Sequence, residues 1–177
     1  MSCVASNAGQ RASGGPEFHI GVGINYGVVT VGNIGCEKKM NYTAFGPMAD
    51  FASELEGATK RYHVKCIVSE MVQRKVKGQL ACRLLDFVPL GGMGRAVRIF
   101  TVKKTVEGVE RETWNLHNEG MEAYLRRDFA GAADAFERVC GMIEADVPGA
   151  LMLERCRRYQ RAELSAGWDG AEIEGTA

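Results

Sequence analysis

The stretch over residues 19–46 combines glycines with β-branched side chains, which limits the fold more than any other feature of the chain. Residues 19–25 alternate glycine with apolar residues and predict a strand whose glycines let another backbone approach closely. Residues 28–32 are rich in valine and threonine and predict a second strand, with a turn at residues 26–27. The sequence therefore predicts a β-hairpin here, preceded by a flexible segment over residues 1–17.

Helix and strand signals alternate from this hairpin to residue 104. The predicted elements are a helix over residues 48–62, a strand over 65–68, a helix over 70–77 and strands over 81–88 and 96–102. Pro47 suits the first position of one helix, Ser69 suits the N-cap of the next, and Gly78 suits its end. This order predicts an α+β fold in which helices cover a sheet.

The sequence behind residue 104 is helical. Residues 110–127 and 129–145 predict two amphipathic helices joined at Asp128, and Pro148 begins a third helix that ends near residue 160. We therefore expect a helical extension over residues 105–165 and a tail over 166–177.

Gly120, Ala132 and Phe136 have the spacing of the small and aromatic positions of one tetratricopeptide repeat. A single repeat is too small to bury its own apolar face. The extension is therefore expected to pack as a cap on the sheet, with a partner-binding hairpin as the alternative. The apolar residues that would form the cap are Trp114, Tyr124, Phe129, Phe136 and Leu153.

Charge and hydropathy exclude several classes of protein. The 22 basic residues balance the 22 acidic ones, so no net field attracts nucleic acid or an anionic membrane. The longest apolar run, over residues 28–34, is too short to span a bilayer, and the N-terminal residues lack the pattern of a signal peptide. A cytoplasmic chain is expected, although its parent protein could be membrane-anchored.

Neither the cysteines nor the histidines form a recognisable site. The six cysteines lack a C-x-x-C pair and a histidine at a metal-ligand spacing, so we expect reduced thiols packed as small apolar side chains. Cys36 is the exception, because the adjacent lysines could make its thiol more reactive. His19, His63 and His117 have no partners at a catalytic spacing, and no chemistry is assigned to them.

The run IGVGINYGVVTVGNIGCEKKMNYTAFG, which starts at Ile20, resembles the catalytic domain of class III adenylate and guanylate cyclases. The resemblance continues clearly to Glu56 and more weakly to Lys104. It implies that residues 18–104 form the C-terminal half of such a domain, with a partial ferredoxin-like fold. The residues behind Val106 are similar to the extension found behind some bacterial cyclase domains. This second similarity is carried by Trp114, the Tyr124/Phe129 hairpin, residues 153–156 and Trp168-Asp169-Gly170.

The resemblance also implies a site shared between two domains. In this family two catalytic domains pair head to tail, and two aspartates of the N-terminal half hold two metal ions that act on ATP or GTP. Because that half is expected to lie before this chain, no cofactor is expected here. Magnesium or manganese is expected only where a partner supplies the metal-binding half. The expected partner is a second copy of the chain or another cyclase-like domain.

The family's remaining roles fall on five positions of this sequence. Thr43 stands at a base-specifying position, Asp50 at the position of an asparagine that orients the ribose, and Glu54 at the position of an arginine that stabilises the triphosphate. Gly91 and Met93 lie where the family has a turn with two phosphate-binding lysines. Replacing cations by carboxylates or neutral residues weakens the attraction for a polyphosphate, so no catalytic position is intact.

These observations predict a cyclase-homology module that is inactive alone and has a dimerisation or regulatory role. One alternative is half of a composite adenylate cyclase site that converts ATP to cyclic AMP with a partner chain. The other is an interaction adaptor that works through the C-terminal helical hairpin. A minor possibility is a divalent-metal site at Asp50 and Glu54, which share a helix face.

Overall fold

The computed structural model describes residues 20–36, 39–89 and 96–172 of the 177-residue chain. The elements in this part of the chain are β1 Val22–Ile24, β2 Thr30–Cys36, β3 Lys39–Phe45, α1 Pro47–Tyr62, β4 Cys66–Ser69, α2 Glu70–Val76, β5 Ala81–Pro89, β6 Ala96–Lys103, α3 Gly108–Leu125, α4 Phe129–Met142 and α5 Val147–Tyr159. The predicted α+β class is confirmed. The predicted flexible segment over residues 1–17 lies outside the described residues.

The strands form a four-stranded sheet in the order β1-β4-β6-β5 and a separate two-stranded sheet of β2 and β3. Strand β1 runs parallel to β4, and the other neighbours in the larger sheet are antiparallel. The predicted hairpin between residues 19–25 and 28–32 was therefore wrong. The turn-forming residues 26–27 carry the chain from one sheet to the other instead of joining two paired strands.

Strand β3 was missed by the sequence analysis. It pairs with β2 along its whole length, from Cys36 opposite Lys39 to Thr30 opposite Phe45. All seven of its side chains are exposed. A strand that buries neither face need not alternate polar and apolar residues, so its sequence lacks the usual strand signal.

The glycines of the first predicted strand permit a close approach, as expected. A Cβ atom added to Gly23 would collide with the backbone of α1, at the Ala52 carbonyl oxygen and the Glu56 nitrogen. One added to Gly21 would collide with the Thr59 side chain. These two glycines therefore let the chain lie directly against helix α1.

The helix boundaries largely follow the sequence signals. Pro47 occupies the first turn of α1, and Asp128 accepts a hydrogen bond from the Gly131 nitrogen at the start of α4. Gly78 follows α2 with a positive φ of 85°. Ser69 lies at the N-cap of α2, but its hydroxyl makes no capping hydrogen bond and is buried without a partner in the described structure. Ser69 therefore takes the predicted N-cap position, but without a capping hydrogen bond.

Helix α3 covers the outer edge of β5. The Asn118 side chain accepts a hydrogen bond from the Leu84 nitrogen at 3.0 Å and donates one to the Cys82 carbonyl at 3.2 Å. His117 bonds the Leu84 carbonyl through Nε2 at 2.8 Å. These side chains replace a neighbouring strand, because they satisfy backbone groups that an edge strand otherwise leaves free.

The extension also shares a core with the sheet. Phe87 of β5 packs with buried residues of α3, α4 and α5, namely Met121, Tyr124, Phe129, Phe136, Met152 and Tyr159. Leu153 and Trp168 pack against the same cluster, and Trp114 is also buried. A Cβ atom on Gly120 would lie 3.0 Å from the Phe136 ring, so the small residue permits the close helix contact. This packing supports the cap interpretation, while membership of the tetratricopeptide class stays a prediction.

Candidate functional site

The candidate site centres on the first two turns of helix α1. Asp50 lies in the first turn and Glu54 one turn later, so both carboxylates project from one face of the helix. Both residues are exposed. Among residues 20–36, 39–89 and 96–172, neither carboxylate forms a hydrogen bond or an ion pair. This face of α1 therefore presents two uncompensated negative charges to solvent.

Asn25 fixes the position of this face relative to the sheet. Its side-chain nitrogen donates a hydrogen bond to the Met48 carbonyl at 3.0 Å, which joins the end of β1 to the first turn of α1. Sequence analysis did not single out Asn25. The sequence did offer a signal for Asn25, because this polar residue directly follows an apolar strand and precedes a turn.

Thr43 lies on β3, opposite Gly32 of β2, and is exposed. Its hydroxyl makes one hydrogen bond, to the Ala44 carbonyl at 3.5 Å. No bond within the described ranges joins it to Asp50 or Glu54. The structure thus leaves the Thr43 hydroxyl accessible to a ligand but does not connect it to the two carboxylates.

The electrostatics of α1 oppose a second anion at its N-terminus. The unpaired amides and the dipole of a helix start attract negative charge. Asp50, in the first turn, already occupies that favourable region with a carboxylate. A polyphosphate near this turn would lie closer to the carboxylates of Asp50 and Glu54 than to any positively charged side chain of α1. Its basic residues, Lys60 and Arg61, lie in the last turn.

The positions of Gly91 and Met93 lie outside the described residues. Strand β5 ends at Pro89 and β6 begins at Ala96, so the structure describes the two strands but not the connection that carries these positions. Their predicted loss of phosphate-binding lysines rests on the sequence.

The residues that the structure describes contain no group of three or more His, Cys, Asp or Glu side chains able to hold a metal ion. Asp50 and Glu54 therefore have no third protein ligand of these types within that part of the chain. Two exposed carboxylates alone fall short of the oxygen-rich ligand sets that calcium takes. The described part also contains no helix long and apolar enough to cross a bilayer.

The described chain exposes many apolar side chains near the candidate site, on β1 and on both faces of the β2–β3 sheet. Of thirteen exposed large apolar residues in the described structure, eleven fall between Ile20 and Phe45. They are Ile20, Val22, Ile24, Tyr26, Val28, Val29, Val31, Ile34, Met40, Tyr42 and Phe45. Exposed apolar patches of this kind mark interaction surfaces. The helical extension covers the opposite edge of the sheet, at β5, and leaves this surface open in the described structure.

Sequence analysis also missed a set of buried charges under the extension. Arg83 donates to both carboxylate oxygens of Asp146, at 2.7 and 2.5 Å, and contacts Nδ1 of His117 at 2.8 Å. Arg155 donates to both oxygens of Asp86, at 2.5 and 2.7 Å. Charged residues inside the otherwise apolar strand β5 were the available signal, because buried charges are paired.

One irregularity of β5 explains how this strand presents both charges to the extension. Its pairing with β6 shifts register between Leu84 and Asp86, so an extra residue interrupts the alternation of side chains. Without that shift, Arg83 and Asp86 would point to opposite faces of the sheet. These residues position the extension and have no exposure to a ligand.

Burial controls the protonation of His117 and the thiols. Burial, together with the Arg83 guanidinium, holds the pKa of His117 well below its usual range, against the opposing effect of its bond to the Leu84 carbonyl. Burial also raises the pKa of the Cys156 thiol to about 12, so this cysteine behaves as an apolar side chain. Cys36, by contrast, ends β2 and is exposed.

Comparison with known proteins finds similarity to adenylate and guanylate cyclases. The family model for the adenylate and guanylate cyclase catalytic domain matches residues 2–104. Adenylate cyclase 1 of Rhizobium meliloti (strain 1021) is 36% identical over 105 residues, which cover 59% of this chain and 16% of that protein. The terminal-differentiation specific adenylate cyclase of Dictyostelium discoideum is 28% identical over 145 residues, 77% of this chain and 7% of that protein.

Two further similar proteins are also adenylate cyclases. The adenylate cyclase of Anabaena cylindrica is 32% identical over 94 residues, which cover 51% of this chain and 19% of that protein. The crystal structure of the adenylyl cyclase CyaB from P. aeruginosa is 28% identical in sequence, with a TM-score of 0.49, and the match covers 59% of this chain and 53% of that one. The chain thus spans less than a fifth of the length of the three relatives compared by sequence.

Proposed function

Because this chain belongs to the adenylate and guanylate cyclase catalytic domain family, we propose that it acts as a cyclase-homology module that makes no cyclic nucleotide alone. In this proposal the module pairs with a second copy or with another cyclase-like domain and has a regulatory role. The observation that carries it is the pair of exposed, uncompensated carboxylates of Asp50 and Glu54 on α1.

The physical argument concerns the charge that a nucleotide brings. A cyclase must hold a triphosphate and stabilise the negative charge that develops on it, which positively charged groups and hydrogen-bond donors do. At the position where the family resemblance implies an arginine, Glu54 adds repulsion in place of attraction. Loss of one such stabilising donor costs about a hundredfold to a thousandfold in rate. Asp50 replaces a neutral side chain and adds a second negative charge on the same face.

The direct test is a cyclase assay on the purified chain with ATP or GTP and with magnesium or manganese. We expect no cyclic AMP and no cyclic GMP. Product that increases with the amount of chain and persists through further purification would overturn the proposal.

A second measurement tests the electrostatic cause. The double variant Asp50→Asn with Glu54→Arg should bind a fluorescent ATP analogue more tightly than the parent chain, but still make no product alone. A matched control, Asp134→Asn with Glu122→Arg, adds the same charge on exposed positions of α4 and α3. Equal binding by both double variants would show that net charge, and not this face of α1, limits nucleotide binding.

The composite adenylate cyclase remains the second candidate. It is favoured by the accessible Thr43 hydroxyl and by the open apolar surface beside it. Here the chain would contribute base contacts while a partner domain supplies the metal ions. If this is correct, mixing the chain with a cyclase domain that is inactive alone should produce cyclic AMP, and Thr43→Ala should reduce that activity. The adaptor alternative is less supported, because the apolar residues of the helical hairpin pack against β5 and one another.

A further inference from the structure

The C-terminal segment over residues 165–172 contains no helix or strand, yet it contacts both parts of the molecule. We call it the strap. Its last described residue, Glu172, pairs with Arg61 of α1 at 2.6 Å, with Arg155 of α5 at 3.0 Å, and with Arg158 of α5. One carboxylate thus bridges the cyclase-family unit and the helical extension.

A second polar contact joins the strap to the sheet. The Asp169 carboxylate accepts a hydrogen bond from the Ala96 nitrogen at 2.5 Å, at the first residue of β6. The strap therefore holds helix α1, which carries the candidate site, and also the strand that follows the connection bearing Gly91 and Met93.

Next to these two contacts the strap also rests on the extension, through Trp168 and Gly170. Trp168 packs edge-on against the rings of Tyr124, Phe129 and Tyr159, with centroids 5.0–5.9 Å apart. The Tyr124 hydroxyl donates to the Gly170 carbonyl at 3.0 Å. Gly170 has a φ of 99°, and a Cβ there would lie 2.8 Å from the Phe87 ring, so only glycine fits without strain.

We propose that residues 165–172 form a detachable strap, with Glu172 as its principal anchor, which locks the extension, helix α1 and the start of β6 into one arrangement. When it is closed, the face of α1 and the first residue of β6 are held together. When it opens, both are released while the folded core persists.

The core can survive opening because its charges do not depend on the strap. Arg155 is 2% exposed and keeps both hydrogen bonds to Asp86 when Glu172 leaves. No buried charge is orphaned, which would otherwise make opening very costly. Arg61 is 51% exposed, so it returns readily to solvent.

The charged contacts that hold the strap closed are individually modest. Arginine–carboxylate pairs that reach the surface contribute about 0.2–1 kcal/mol each in measured cases. A segment without a backbone hydrogen-bond ladder opens below the free energy of global unfolding. Arg127 adds hydrogen bonds to the Ser165 and Ala166 carbonyls, at 2.6 and 3.1 Å, which fix the hinge end of the strap.

The test is hydrogen–deuterium exchange on the full chain with Glu172→Gln, which removes the charge and preserves the shape. The matched control is Glu163→Gln, an exposed glutamate just before the strap. In the Glu172 variant we expect exchange in residues 165–172 and at the Ala96 amide to accelerate about tenfold, with β4 unchanged. The control should match the parent chain.

Two outcomes would overturn the proposal. Exchange in the Glu172 variant that equals the control would mean that Glu172 anchors nothing. Acceleration spread equally over β4, β6 and α3 would mean that the segment is part of the cooperative core and does not open separately. A second variant, Asp169→Ala, should release the Ala96 and Ala171 amides, which both donate to the Asp169 carboxylate. The Trp168 amide, which donates to the Ser165 carbonyl at 3.2 Å, should stay protected because Glu172 still holds the strap. Loss of protection at Trp168 as well would contradict the role of Glu172 as the principal anchor.

Discussion

The Arg155 guanidinium of α5 forms a two-hydrogen-bond pair with the Asp86 carboxylate of β5, and both side chains are 2% exposed. The Tyr62 hydroxyl of α1 donates to the same carboxylate at 2.6 Å. Burial, together with the neighbouring Asp86 carboxylate, raises the pKa of Tyr62, so the tyrosine stays protonated and remains a donor. One carboxylate therefore joins a helix of the cyclase-family unit, a strand of the sheet and a helix of the extension.

Replacing Asp86 by asparagine should destabilise the chain strongly. The substitution leaves the buried Arg155 charge without its main partner, and breaking a buried pair costs about 3–5 kcal/mol. Urea unfolding of Asp86→Asn should show this loss. The control Glu137→Gln removes an exposed pair with Arg157 and should cost less than about 1 kcal/mol. Similar losses for both variants would contradict the structural role of the buried pair.

Acid should destabilise the chain through His117 before most carboxylates titrate. Because its folded pKa lies well below the unfolded value of about 6.5, the folded state binds fewer protons than the unfolded state below that pH. The unfolding free energy should fall as the pH drops below about 6.5, with a slope of up to about 1.4 kcal/mol per pH unit.

The measurement is chemical unfolding between pH 7.5 and 5.5 in the parent chain and in His117→Gln. The variant should lose this pH dependence, because glutamine does not titrate. His63→Gln, at an exposed position after α1, should retain it. A pH dependence that survives His117→Gln would show that another group is responsible.

Two glycine-to-alanine substitutions should change the stability of the chain in opposite directions. Gly23→Ala places a methyl group against the backbone of α1, which cannot move aside, and should destabilise the chain by about 1–3 kcal/mol. Gly57→Ala adds a methyl group in open space within α1 and should stabilise it by about 0.5–1 kcal/mol. Thermal unfolding checks both. A neutral Gly23→Ala would disprove the close contact between β1 and α1.

The open apolar surface should drive self-association. Tyr42, on β3, is 72% exposed, so Tyr42→Lys should shift the chain towards the monomer. Val109→Lys introduces the same charge on α3, outside the surface, and should have no effect. Light scattering at several concentrations measures the change. A parent chain that stays at its monomer mass of 19.3 kDa at every concentration would contradict this expectation.

Local signals in the sequence were sufficient for the helices and for the family. Pro47 marked the start of α1, Asp128 marked the joint between α3 and α4, and the glycine-rich run from Ile20 carried the cyclase resemblance. Each depends on residues close together in the chain. Helix starts and turns are governed by neighbouring dihedral angles and hydrogen bonds, which short sequences encode.

Tertiary structure alone decided the pairing of the strands and the partners of the buried charges. Strand β1 pairs with β4 rather than with the next strand, and the exposed β3 carries no alternating pattern. Asp86 and Arg155 lie 69 residues apart in the chain, and Arg83 and Asp146 lie 63 apart. Such pairs form only when packing of the extension brings them together and removes water from around them. The whole sequence therefore determines these strand and charge pairings, but no short stretch of it indicates them.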